Sequence, residues 1–210
     1  MFTLSAKNNA MEKEKKRYHH GHLAESLLDA VDELASQFGI EAVTLRACAK
    51  RVGVSPASAF RHYVDKRALL TAFATRALHQ LAEAMDKAGR QAGEQGADAF
   101  HAVAMAYITF ALDKPAFFRA MWREETIYAR DPDYLAAAER LAGYLSEGFV
   151  NTIVDEDPHD FSPQELLAWS SVHGLASLFV DGPVARGSDR LQKLVLADHM
   201  LARLRPALTA

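Results

Sequence analysis

The chain has 210 residues, 50% of them hydrophobic, a single cysteine and a formal net charge of −3. That is apolar material for a substantial core in one or two domains, while one cysteine excludes an intrachain disulfide or a thiolate metal cluster within these residues. No apolar run approaches a membrane span and the N-terminus lacks the apolar stretch of a signal peptide, so a soluble, cytoplasmic protein is expected. Charge is unevenly spread. Up to Arg67 there are 11 Lys and Arg against 8 Asp and Glu, and beyond it 13 against 19, so a net of +3 precedes a net of −6. A basic N-terminal third and an acidic remainder suit a protein that offers one end to a polyanion and repels it with the other.

Residues 1–17 lack apolar periodicity and mix charges, which predicts a flexible arm. Its cationic end, Lys15, Lys16 and Arg17, fits phosphates or a minor groove, with a plain solvated tail as the alternative. His19, His20 and His22 follow Tyr18. Their spacing is not that of a helical ligand pair, and no carboxylate or thiolate follows at a useful interval, so no metal site is assigned. From Leu23 the apolar residues Leu27, Ala30, Val31, Leu34 and Phe38 recur as one helical stripe, closed by Gly39.

Thr44 to Lys66, TLRACAKRVGVSPASAFRHYVDK, predicts two short helices joined by a tight turn. Thr44 caps the first, whose apolar side is Leu45, Cys48, Ala49 and Val52, and Gly53 supplies the positive φ that stops it. Ser55 caps the second, with Pro56 in its first turn, where a missing N–H costs nothing. So short a connection forces a steep crossing, and Ala49 and Ala59 are small enough to allow it. Ala57, Ser58, Arg61 and His62 then fall on the exposed face, with Ala59, Phe60 and Tyr63 toward the core or its rim. Small residues permit approach to base edges and Arg61 suits guanine or phosphate, as in a helix-turn-helix; a purely structural helix pair shares the pattern. Cys48 reads as a small core residue in preference to a redox sensor.

Gly53-Val54-Ser55, then Phe60-Arg61-His62-Tyr63, then Lys66, Leu69 and Leu70 resemble the end of the DNA-binding domain of TetR-type transcriptional regulators, in register over about residues 18 to 70. The resemblance implies that Thr44 and His62 contact phosphate, that Ser55, Ala57, Ser58 and Arg61 line the groove, and that Lys66 meets phosphate as the next helix starts. Arg46, Phe60 and Tyr63 complete the DNA-facing set. Phe60 stands where the family often has Tyr, so one phenolic contact to the DNA backbone is missing. A Tyr-His-His-Gly stretch like Tyr18 to Gly21 occurs in some members at the edge of the DNA surface.

A long helix is predicted from Asp65-Lys66 to about Ala88, with Leu69, Leu70, Phe73, Ala77, Leu81 and Met85 inward, and Gly89, Gly93 and Gly96 mark a loop after it. Beyond Ala97 helical periods recur without strand alternation. Phe100, Val103, Ala104, Tyr107, Ile108 and Ala111 form one stripe; Phe117, Phe118, Met121 and Trp122 follow Pro115; Asp131-Pro132 starts a helix with Tyr134, Leu135, Leu141, Leu145 and Phe149. Asp155 to Asp160 matches no calcium loop and reads as a solvated connector. Ser162-Pro163-Gln164-Glu165 is a capping box opening a helix to about Asp181, and the last helix runs from after Gly187-Ser188 to about Arg205.

The second half is rich in aromatic and Met residues. Phe100, Tyr107, Phe110, Phe118, Met121, Trp122, Trp169 and His173 are the candidate lining of an apolar effector pocket, with Tyr144, Phe149 and Phe179 in the wider set; core packing is the alternative for each. Trp169 and His173, one turn apart, are expected to form a buried pair. Trp169 to Gly174 resembles the Trp…His-Gly element of one TetR-type subgroup. Ser170, Ser171, Gly174, Ala176 and Ser177 leave a low helix surface, so the last two helices suit a four-helix contact with their copies.

The expectation is an all-α fold of about nine helices: an arm over 1–17, a three-helix helix-turn-helix domain over 18–68, and a helical effector-binding and dimerisation domain over 69–210. The function implied by the resemblance is a homodimeric repressor on an inverted-repeat operator in double-stranded DNA, released by an amphipathic or apolar small molecule. An architectural or protein-interaction module without an effector is the alternative. An enzyme is not expected: there is no His-Glu-x-x-His and no phosphate-binding Gly loop, and the lone cysteine lies in the motif. No cofactor is implied.

Overall fold

Helix formation follows the capping residues. The computed structural model describes residues 22–148, 162–184 and 187–209; the arm, Tyr18, His19, His20, Phe149 and the acidic stretch 155–160 lie outside them. In α1, Leu23–Phe38, the residues Leu27, Val31 and Ala35 are buried, whereas Phe38 continues the stripe yet is 67% exposed. The packed face ends a turn before the helix does. After a 3₁₀ turn, Ile40–Ala42, come α2, Leu45–Val52, and α3, Pro56–Phe60. The Thr44 Oγ1 accepts from Ala47 N at 3.0 Å and the Ser55 Oγ from Ser58 N at 3.2 Å, so both motif helices start on the hydroxyls that the sequence supplies.

The fourth helix, α4, is Lys66–Glu94, longer than the periodicity indicates. It passes through Gly89 and Gly93, and the break falls only at Gly96, whose φ is +63°. A Cβ at Gly89 would stand 3.3 Å from Val103 Cγ2 of α5, Ala99–Asp113. Close approach to α5 therefore offsets the roughly 1 kcal/mol that a helical glycine costs. Then follow α6, Pro115–Met121; a 3₁₀ turn, Glu124–Thr126; and α7, Pro132–Gly148, started by Asp131 Oδ1 accepting from Asp133 N and Tyr134 N. In α8, Pro163–Val180, the capping box forms: Glu165 N donates to Ser162 Oγ, and Ser162 N donates to Glu165 Oε2. The last helix, α9, Arg190–Thr209, continues past Pro206 instead of stopping near Arg205. Leu201, Leu204 and Leu208 are all buried, so packing holds the final turn despite the missing N–H.

Among the described residues there are nine α-helices, two 3₁₀ turns and no strand, and the fold is all-α. They form two compact units. The first comprises the residues up to Phe73 together with Thr126–Tyr128; the second comprises Ala74–Glu125 and the residues from Ala129 onward. In the first, α1 packs on α2 and α3 over Leu27, Val31, Leu45, Cys48 and Ala59. In the second, α5 packs on α6, α8 and α9, and α8 also meets α7 and α9. No helix of the described residues is long and apolar enough to cross a membrane.

Candidate functional site

Gly53 has φ +79° and ψ +31°, the left-handed conformation that stops α2, and Val54 N donates to Ala49 O at 2.9 Å. Fully buried Ala49 and Ala59 line the inner side of the two motif helices. Thr44, Arg46, Ser55, Ala57, Phe60, Arg61 and His62 are exposed, and Ser58 is half-buried. Arg61 Nη2 donates to Ser58 Oγ at 3.1 Å, and that oxygen lies 2.9 Å from Ser55 Oγ, so three of the assigned side chains share one hydrogen-bonded string. Two departures from the expected set stand out. Phe60 is 47% exposed and not turned to the core, while the half-buried Tyr63 donates its hydroxyl to Ala24 O at 3.3 Å and ties the turn after α3 to α1. Lys66 is also half-buried, and its ammonium donates to Ile40 O at 3.4 Å and Glu41 O at 3.3 Å, leaving one N–H for another acceptor. Cys48 is fully buried, and desolvation pushes its thiol up to about 11. His22, the only one of the three clustered histidines described, is exposed at the start of α1. Among the described residues no group of three or more His, Cys, Asp or Glu could hold a metal ion.

The second unit holds an apolar cavity of about 130 Å³ that opens on one side. Of the residues expected to line it, Phe100, Tyr107, Trp122, Trp169 and His173 do so. Phe118 packs behind the wall, edge-on to Tyr107 with ring centroids 6.1 Å apart and 5.4 Å from His173. Phe110 sits against Phe117, and Lys114 Nζ lies within 6 Å of both ring centroids. Met121 is fully buried, and its carbonyl accepts from the Tyr134 hydroxyl at 3.0 Å. Trp122 lies against both Trp169, at 5.7 Å between centroids, and His173, at 5.0 Å, so its ring bridges the two residues expected to form a buried pair, each of which is half-buried.

Further lining residues come from α4 (Leu78, Met85), α5 (Val103, Ala104), α8 (Ala168, Val172) and α7, which contributes Tyr134, Ala138, Leu141 and Tyr144 along one face together with Ala142. The four on one face recur at four, three and three residues, so the stripe was visible in sequence, although nothing in it distinguishes a cavity wall from a core face. The polar atoms around the cavity are few. Tyr107 Oη is 2.9 Å from His173 Nδ1, and His173 Nε2 is 3.3 Å from Ser177 Oγ. Burial lowers the His173 pKa and raises that of Tyr107, so the imidazole is neutral and the phenol protonated near neutral pH. The Tyr144 hydroxyl donates to Asp86 Oδ1 and lies within reach of Ala82 O, and desolvation together with the Asp86 hydrogen bond pushes its pKa up to about 12.

On the outside of the second unit, Leu167, Ser171, Gly174 and Leu178 follow one another along α8 at helical spacing; Leu167 and Leu178 are exposed, and a Cβ at Gly174 would meet nothing within 4 Å. On α9, Leu191, Val195 and Leu196 are exposed, Leu191 by 69%.

Comparison with known proteins agrees with this architecture. The family described as "Tetracyclin repressor-like, C-terminal domain" matches residues 100–204, half of the chain, and "Bacterial regulatory proteins, tetR family" matches residues 27–73. YobS of Bacillus subtilis (strain 168), named as an uncharacterized HTH-type transcriptional regulator, is 32% identical over 94 residues, 45% of this chain. The match spans about half of that curated relative, 48% of its length. A solved structure of a protein with unknown function from Rhodococcus sp. RHA1 is 26% identical, with a TM-score of 0.68 over 89% of this chain and 96% of that one. A TetR family transcription regulator from Marinobacter aquaeolei VT8 is 20% identical, with a TM-score of 0.62 over 90% and 97%, a likeness of fold alone. The capped motif helices, the all-α second unit and the two family matches together place this chain in the TetR family of bacterial regulatory proteins.

Proposed function

We propose that this chain is a cytoplasmic transcriptional repressor that binds an inverted-repeat operator in double-stranded DNA as a homodimer and leaves it when a small molecule occupies the cavity. The observation that carries the reading is the outer face of α3 and its flanks: Ser55 caps the helix, Ala57 and Ser58 lie on it, Arg61 and His62 follow its last turn, and Ala59 seals the other side. Small residues allow the backbone to approach base edges, Arg61 offers a bidentate donor for guanine or phosphate, and Thr44 and His62 flank it as phosphate contacts. Arg46 and Lys66 add positive charge around that face.

Dimerisation is assigned to α8 and α9, whose exposed Leu167, Leu178, Leu191 and Val195 would be covered by their copies. Two-fold symmetry then sets two copies of α3 about 34–36 Å apart, one turn of DNA. The long α4 contributes its first turns to one unit and the rest to the other, so a ligand against Leu78 and Met85 can bias the half-site separation. A full switch requires a ligand that discriminates the two states by about 5.5 kcal/mol. The role needs no catalytic residue.

The test is selection of genomic fragments with the purified protein, followed by binding across salt concentrations. One enriched palindrome, bound by a dimer and released by a small molecule, is the expected result. Salt-sensitive binding without a shared site would favour an architectural protein, and absence of binding would remove the reading. Leu178→Glu is expected to give a helical monomer at micromolar concentration by sedimentation; a wild-type monomer would refute the dimer.

A further inference from the structure

Resting on the reading of the cavity as the effector site, we infer that it takes a neutral, single-ring compound bearing one hydroxyl or carbonyl group, seated with its oxygen at Tyr107 and His173. Size sets the first limit. A cavity of about 130 Å³ is on the scale of the roughly 150 Å³ void that accommodates benzene, room inside for one ring. Phe100, Trp122 and Trp169 present ring faces and edges that pack on another ring.

Charge sets the second limit. Among the described residues no Asp, Glu, Lys or Arg lines the cavity, and the nearby Asp86 is already engaged by Arg140 and Tyr144. An ionised ligand would lose its hydration without gaining a counter-charge, and the neutral His173 offers none.

Hydrogen-bond accounting places the oxygen. The hydroxyls of Tyr134 and Tyr144 are engaged with Met121 O and with Asp86, respectively. The chain from Tyr107 through His173 to Ser177 is the adaptable group that remains. With Tyr107 donating to Nδ1, the phenolic oxygen still accepts from a ligand hydroxyl. With the other imidazole tautomer, Nδ1–H donates to Tyr107 and the phenolic O–H is released toward a ligand carbonyl. The indole N–H of Trp122 lies at the same end, beside Tyr107 but without a partner in hydrogen-bond geometry, so an oxygen inserted there gains a further donor.

Titration calorimetry of the full chain with phenol, benzyl alcohol, toluene, benzoate and benzylammonium tests this. Phenol or benzyl alcohol is expected to bind roughly 10-fold tighter than toluene, the equivalent of one net hydrogen bond, and the two ions at least 100-fold weaker than the alcohols. Tyr107→Phe should abolish the preference for phenol over toluene while toluene still binds, which also shows that the cavity is intact. Equal binding of benzoate or benzylammonium, a preference for toluene in the wild type, or no binding of any neutral ring compound would overturn the inference, while release of operator DNA by another compound would leave the effector reading standing. Phenol binding that leaves operator affinity unchanged would support the ligand class and refute the effector role.

Discussion

The Tyr128 hydroxyl donates to Asp65 Oδ2 at 2.5 Å, across 63 residues of sequence. Around this bond, Arg67 lies 4.7 Å over the Tyr128 ring and donates to Ile127 O at 2.5 Å, Tyr128 N donates to Thr71 Oγ1 at 2.9 Å, and Ile127 is fully buried. Thr126–Tyr128 is thereby part of the same compact unit as the motif helices, although Trp122, a few residues earlier in the chain, lines the cavity of the other. The covalent path from cavity wall to this docked tripeptide is short.

Asp65 also caps α4, its Oδ1 accepting from Ala68 N at 2.8 Å. The Tyr128 hydrogen bond is the main reason that its pKa lies below the usual 3.8, followed by the bond from Ala68. A depressed carboxyl pKa stabilises the fold above the unfolded value, near pH 4, and the contribution is lost as pH falls through the lowered value. Thermal unfolding from pH 3 to 7 should show Asp65→Asn less stable than wild type at pH 7, with the two converging in acid. Because the group is only half-buried and solvent screens it, the gap at pH 7 is expected to be a few degrees or less. Asp65→Ala also loses the cap, about 1 kcal/mol more. A pH-independent difference between wild type and Asp65→Asn would contradict the assignment.

Gly53→Ala isolates backbone strain. A Cβ there would meet nothing within 4 Å, so the loss comes only from φ +79°, and about 1 kcal/mol of stability is expected from urea unfolding. Gly53→Asn should lose less, since asparagine tolerates this conformation better. An unchanged midpoint for alanine would mean that the turn is not held left-handed in solution.

Cys48 should be inert to a thiol reagent at pH 8 in the folded protein and reactive once unfolded. Full burial blocks access, and a pKa near 11 leaves little thiolate. Cys48→Ser places a hydroxyl in the same apolar site and is expected to cost about 1–3 kcal/mol, with Cys48→Ala costing less. Rapid labelling of the native protein would rule out the core assignment.

Arg61 and Lys66 should separate in their effects on DNA binding. Arg61→Ala is expected to weaken operator binding by about 1–3 kcal/mol with little change in stability, because its hydrogen-bond partner among the described residues is the Ser58 hydroxyl. Lys66→Ala should lower both the salt slope, by about one, and the melting temperature, since the ammonium also holds the carbonyls of Ile40 and Glu41. Operator affinity untouched by both substitutions would move the DNA-facing surface elsewhere.

Local chemistry explains what could be read in advance. Thr44, Ser55, Asp131 and Ser162 fix helix starts because each capping hydroxyl or carboxylate satisfies an N–H within three residues of itself, and Gly53 fixes a stop by its own φ. Such effects involve neighbours in the chain, so the sequence alone determined the helical class, the motif and the family. Tertiary packing decided the rest. Gly89 and Pro206, breakers by local preference, lie inside helices because Val103 approaches the one and buried Leu208 anchors the turn of the other. Phe118 and Met121 stand behind the cavity wall while Tyr134 and Tyr144 form part of it, since a stripe of apolar residues states only that a face is covered. Whether an aromatic ring meets another side chain or an open space depends on residues tens of positions away, and only the folded chain brings these together.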